Sequence, residues 1–136
     1  MMTPRKPWWR RWFGSRSERA AARFLRGLGM RIVAWNWTCP GGELDLVAVE
    51  GGRTIVFVEV RSTESGDLDK VAASVDHEKQ RKLTDTALAF LRKRRLLNYP
   101  ARFDVLLIRW PAGAREPVIV HHRQAFEAVG RGQMYS

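Results

Sequence analysis

Cysteine is almost missing from the 136 residues, with Cys39 standing alone. That excludes an internal disulfide and a cysteine-rich zinc site, and it suits a reducing compartment. No apolar run approaches the ~20 residues needed to cross a bilayer. The amino terminus lacks the apolar stretch of a secretory signal, so the expectation is a cytoplasmic protein with no transmembrane segment. Walker loops, dinucleotide fingerprints, nucleophile elbows and zinc-ligand spacings are absent as well. Acids are scarce: 14 Asp and Glu stand against 24 Lys and Arg, a formal charge of +10.

What is present is the composition of one globular domain, 45% hydrophobic and 28% charged. The charge is uneven. Arg5, Lys6, Arg10, Arg11 and Arg16 are met by no acid in the first 16 residues, and Trp8, Trp9, Trp12 and Phe13 lie among them. Cations interleaved with aromatics suit unpaired bases or a membrane interface; a tail resting on the domain is the plainer alternative. The expected organisation is a basic Trp-rich arm over 1–14, one domain over 15–129 and a tail over 130–136.

Ser15-Arg16-Ser17-Glu18 has capping-box spacing, and Ala21, Phe24, Leu25 and Leu28 follow at helical intervals. This predicts an amphipathic helix closing at Gly27 to Gly29. Strands are predicted over Arg31 to Trp37, Glu43 to Glu50, Arg53 to Arg61 and Arg102 to Trp110. A long helix is predicted over Asp76 to Arg95, with Leu83, Ala87, Phe90 and Leu91 facing inward. Its outer face carries Lys79, Arg81, Lys82, Arg92, Lys93, Arg94 and Arg95, a row that could track phosphates or merely be solvated. A short edge strand over Pro117 to His121 and a last short helix over Arg123 to Val129 complete the reading. Trp35 and Trp37 are expected on one strand face, and His121 and His122 as a solvated pair.

The chemistry collects in the second and third strands. Glu43, Asp45, Glu59 and Arg61 sit among Leu, Val, Ile and Phe, where ionised carboxylates are costly unless paired or bound to a metal. A two-residue turn at Gly51-Gly52 would set Asp45 opposite Val58 and send Glu59 to the other face. A three-residue turn including Arg53 would set Asp45 across from Glu59. In that register the two carboxylates make a site for magnesium or manganese, and Arg61 could stabilise charge on a phosphate. An ion-pair cluster of Asp45, Glu59 and Arg61 without metal is the alternative.

Glu18, Gly42-Glu43-Leu44-Asp45-Leu46, Val56-Phe57-Val58-Glu59-Val60-Arg61 and Arg102-Phe103-Asp104-Val105 resemble the YraN family of small bacterial proteins. That family is assigned to the restriction-endonuclease-like fold of PD-(D/E)xK nucleases and Holliday-junction resolvases. The resemblance runs from about Glu18 to Ile108 and includes the helix around Lys79. It implies an α/β fold with an αβββαβ core, a mixed central sheet flanked by helices. It also implies that Asp45, Glu59 and the Val60 backbone carbonyl bind the metal and that Glu18 reaches in from the first helix. Resolvases work as dimers, so a homodimer is a further expectation. Where the superfamily usually has lysine this chain has Arg61, which grips phosphate through two donors but does not readily give up a proton.

Two functional classes follow. One is a metal-dependent endonuclease cleaving DNA, branched or single-stranded, with Glu18, Asp45, Glu59 and Arg61 catalytic. The other is a non-catalytic nucleic-acid-binding module on the same fold. Both use Lys79, Arg81, Lys82, Arg10 and Arg11 on nucleic acid.

Overall fold

In the computed structural model, residues 16–63, 67–69 and 74–128 are described. The expected arm with Arg10 and Arg11, the capping Ser15 and the tail lie outside them. Helix α1 (Arg16–Gly27) buries Ala20, Ala21, Ala22 and Leu25, small side chains that let it lie close to the sheet. Gly29 has φ +92°, the left-handed closure expected there. Leu28, expected on the inner face, is 52% exposed because the helix ends one residue earlier.

Five strands follow: β1 (Arg31–Cys39), β2 (Gly42–Glu50), β3 (Thr54–Thr63), β4 (Ala101–Arg109) and β5 (Val118–Phe126), lying in the order β1-β2-β3-β4-β5. Neighbours are antiparallel except β3 and β4. A parallel pair needs a long crossover, and helix α2 (His77–Lys93) lies within that connection. Asp76 caps α2, accepting from the Lys79 N–H at 2.9 Å. Leu83, Ala87, Phe90 and Leu91 are buried as the spacing predicts.

The sheet is covered on both faces. Leu25 of α1 packs with Leu46, Val56, Leu106 and Ile108 on one side. Phe90 and Leu91 of α2 pack with Phe57, Phe103 and Leu107 on the other. Trp110 ties α1 to the end of β4, donating to the Ser17 hydroxyl at 2.8 Å with the Arg16 guanidinium over its ring. Gly42 lies under Thr86, so a Cβ there would overlap the Thr86 hydroxyl oxygen. The result is a mixed α/β, restriction-endonuclease-like arrangement, αβββαβ with β5 added at one side.

Three expectations are corrected. Arg123 to Phe126 do not begin a helix, because β5 runs through Phe126. A register shift opposite Asp104 lets the Gln124 N–H donate to that carboxylate at 2.9 Å, and Phe126 stacks on Phe103 at 4.7 Å. Tertiary pairing there outweighs local helical spacing. Trp35 and Trp37 do not share a face: Trp35 packs on the α1 side and Trp37 against Phe90 on the α2 side. Asn36 between them has φ +44°, which breaks strand alternation. His121 is not solvated but meets Asp104 at 2.8 Å, edge-on to Phe24.

Asp104 is thus a structural carboxylate. Fully buried, it accepts from Arg102, pairs with His121 and takes the Gln124 N–H. Arg102 and Arg123 converge in turn on Glu50, and their hydrogen bonds hold its carboxyl down at about 2. Asp104→Ala would leave Arg102 and His121 without their buried partner, a loss of roughly 3–5 kcal/mol. Urea unfolding should show a much lower midpoint for this variant, and an unchanged midpoint would contradict the assignment.

Candidate metal and phosphate site

The turn between β2 and β3 is the three-residue one. Glu50 pairs with Thr54 and Leu46 with Val58, while Gly51 and Gly52 take φ +63° and +69°. Only glycine adopts that conformation freely, so Gly51-Gly52 permits the register that sends Asp45 toward Glu59.

The backbone ladder stops at Leu46 and Val58. One step on, the Asp45 carboxylate accepts from the Val60 N–H at 2.9 Å. A side chain therefore stands where a β2 carbonyl would otherwise be. In a strand the N–H and C=O of one residue face the same neighbour, so the Val60 carbonyl opens toward the same gap. The roll of β1 and β2 contributes. Leu46 and Trp35 belong to the α1-side cluster, whereas Leu44 and Trp37 belong to the α2-side cluster. Asp45 falls at the step where the strand turns over.

Glu59 is 7% exposed and ion-paired to Arg61 at 3.1 Å and to Lys79 at 3.7 Å. Lys79 comes from the first turn of α2, so the helix read as a phosphate-tracking face also delivers a cation to the carboxylates. The Arg61 Nε is buried and has no hydrogen-bond partner among the described residues. Glu18, buried in α1, acts on Asp45 from the other layer. Glu18, Asp45, Glu59, Arg61 and Lys79 are thereby grouped, while Arg81 and Lys82 lie exposed along α2. Glu43, another early candidate, is exposed.

Asp45 carries the electrostatic mark of the site. Burial first, then the charge of Glu59, with a smaller push from Glu18, raises its carboxyl to about 7 against the opposing pull of the Val60 N–H. Among the described residues no three His, Cys, Asp or Glu side chains form a ready-made metal cage. Magnesium does not require one: a carboxylate or two, with waters and substrate oxygens, is its usual set. An all-oxygen donor set with excess negative charge at Asp45 fits such an ion.

A carboxyl raised in the native state holds its proton where the unfolded chain has lost it, so stability falls as pH rises from about 4 through about 7. Glu50 acts in the opposite sense, since its contribution is present above about 4.5 and lost as pH drops toward about 2. In metal-free buffer, Asp45→Asn should melt at a progressively higher temperature than the parent between about pH 4 and 7, with a constant gap above that. Parallel melting profiles across the range would show that Asp45 carries no such penalty.

Comparison with known proteins identifies the family. The model of the uncharacterised protein family UPF0102 matches residues 17–108. A UPF0102 protein of Rhodopirellula baltica is 39% identical over 124 residues, covering 90% of this chain and 74% of its own. One from Geobacter metallireducens is 40% identical over 114 residues, covering 84% and 91%, and one from Pseudomonas putida is 40% identical over 106, covering 77% and 85%. The matched span holds Glu18, Asp45, Glu59, Arg61 and Lys79 together, and the chain belongs to the UPF0102 (YraN) family.

Proposed function

We propose that the protein is a metal-dependent endonuclease that hydrolyses phosphodiester bonds in DNA, with Asp45, Glu59 and the Val60 carbonyl as the metal ligands. The observation that carries this reading is the fork between β2 and β3, where Asp45 is held beside Glu59 with its carboxyl raised to about 7. A structural ion-pair cluster would balance its charges, and this one leaves Asp45 repelled by two other carboxylates. Bound magnesium or manganese supplies a Lewis acid for the phosphate and an acidified water.

The chain's own groups do the rest. Arg61 and Lys79 lie on the Glu59 side of the fork, placed to hold a phosphate against the carboxylates and offset charge developing on its oxygens. The unpartnered Arg61 Nε is a donor that a phosphoryl oxygen would satisfy, and a buried donor left unmade is costly. Arginine stays charged at working pH, so Arg61 binds and stabilises without removing a proton. The exposed cations Arg81 and Lys82 extend phosphate contact along α2.

The second reading, a nucleic-acid-binding module without catalysis, is favoured by one observation: Arg61 already neutralises Glu59 at 3.1 Å. Calorimetric titration with manganese separates the two. Heat of binding in the parent that disappears in Asp45→Ala/Glu59→Ala supports the enzyme. No binding with or without a branched DNA leaves the binding module. Under the enzyme reading, Arg61→Ala should slow cleavage by about 10²–10³-fold. Arg61→Lys should recover part of it, and an Arg61→Ala variant that cleaves at the parental rate would remove arginine from the site.

A further inference from the structure

At the end of the sheet away from the carboxylates, arginines gather without an acid among them. Arg31 opens β1, Arg53 closes the β2–β3 turn and Arg94 caps α2. With Tyr99 they line a depression of about 260 Å³ whose floor includes Val33, Ile55 and Phe90. Among the described residues none of the three guanidinium groups has a carboxylate partner. Glu50, close to Arg53 in the chain, is taken by Arg102 and Arg123. The Arg94 guanidinium lies 4.9 Å from the centre of the Phe90 ring, and Tyr99 is 44% exposed at the rim.

Three converging cations ask for an anion. The carboxyl end of α2 contributes only about half a negative charge, which three guanidiniums outweigh. The apolar floor and the tyrosine ring ask for something flat and apolar attached to that anion. The volume falls just below the roughly 300–1,000 Å³ of pockets for drug-sized ligands, enough for one base but tight for a larger cofactor.

Position strengthens the case. Ile55 in the floor and Glu59 at the fork are four residues apart on one face of β3, about 13 Å, and α2 carries cations at both of its ends, Lys79, Arg81 and Lys82 toward the fork and Arg92, Lys93 and Arg94 toward the depression. We infer that this depression takes an unpaired nucleotide of a single-stranded nucleic acid, its base on Tyr99 and the apolar floor and its phosphates on Arg31, Arg53 and Arg94. Stacking plus an arginine-lined path is how single strands are held without base readout. A paired base is already stacked within its duplex and cannot enter. The inference rests on the nucleic-acid part of the proposed function, not on cleavage.

The test is fluorescence anisotropy with a labelled hexathymidylate in EDTA at fixed low salt, on the full chain. Arg31→Ala/Arg53→Ala and Tyr99→Ala should each weaken binding about tenfold, Tyr99→Phe should bind as the parent, and a duplex of equal length should compete poorly. All these side chains are exposed, so melting temperatures serve as the folding control. Parental affinity in the arginine and Tyr99→Ala variants, or equal competition by duplex, overturns the inference. A protein that cleaves nothing yet loses this binding in the pocket variants refutes the nuclease alone, and one that cleaves while those variants bind normally refutes the pocket alone.

Discussion

A carboxylate replaces a carbonyl where β2 leaves β3, and the architecture is arranged around that exchange. The Val60 N–H must be satisfied, since a buried amide without a partner is expensive. Asp45 satisfies it with a side chain instead of the main chain. The two strands can then part without an orphaned donor, and the gap between them becomes lined with oxygen. The other members of the cluster come from three elements: Glu59 and Arg61 from β3, Lys79 from α2 and, acting on Asp45 through its charge, Glu18 from α1.

Because α1 and α2 lie on opposite faces, the site draws on both hydrophobic layers. The roll of β1 and β2 at Asn36 and Asp45 moves one pair of side chains into each layer. Asp45 is consequently held by packing above and below the sheet. The Asp104 network does comparable work on the far side of β3, fixing β5 and Arg102 through a carboxylate shared among four donors. Two acids thus have opposite characters: the buried Asp104 is fully matched by cations and N–H groups, whereas the half-buried Asp45 faces further carboxylates.

Much of this was readable in the sequence. Helical spacing located α1 and α2, and apolar runs bounded by glycine and proline located β1 to β4 to within a few residues, while the second half of β5 reads as a helix in the sequence. The cost of burying Asp45 and Glu59 drew attention to them before any register was known. The register itself was open between two turn lengths, because Gly51-Gly52-Arg53 is compatible with both, and only the pairing of Glu50 with Thr54 decides it. Nothing in the spacing marks Asn36 as left-handed, although asparagine is among the residues that tolerate that conformation; it separates Trp35 from Trp37. The contact of Lys79 with Glu59 and the meeting of Arg31, Arg53, Arg94 and Tyr99 are joined across distant segments, and no periodicity encodes them.

Among the described residues the sheet ends on β1 and β5, and neither end offers an even template. β1 shifts register between Ile32 and Ala34 and turns left-handed at Asn36. β5 shifts opposite Asp104 and turns left-handed at Gln124. Such breaks leave only short runs of free N–H and C=O groups, which discourages another chain from continuing the sheet. The irregularities that shape the interior therefore also guard the margins against aggregation. A second copy of the chain would be met through side chains, with its own sheet kept separate.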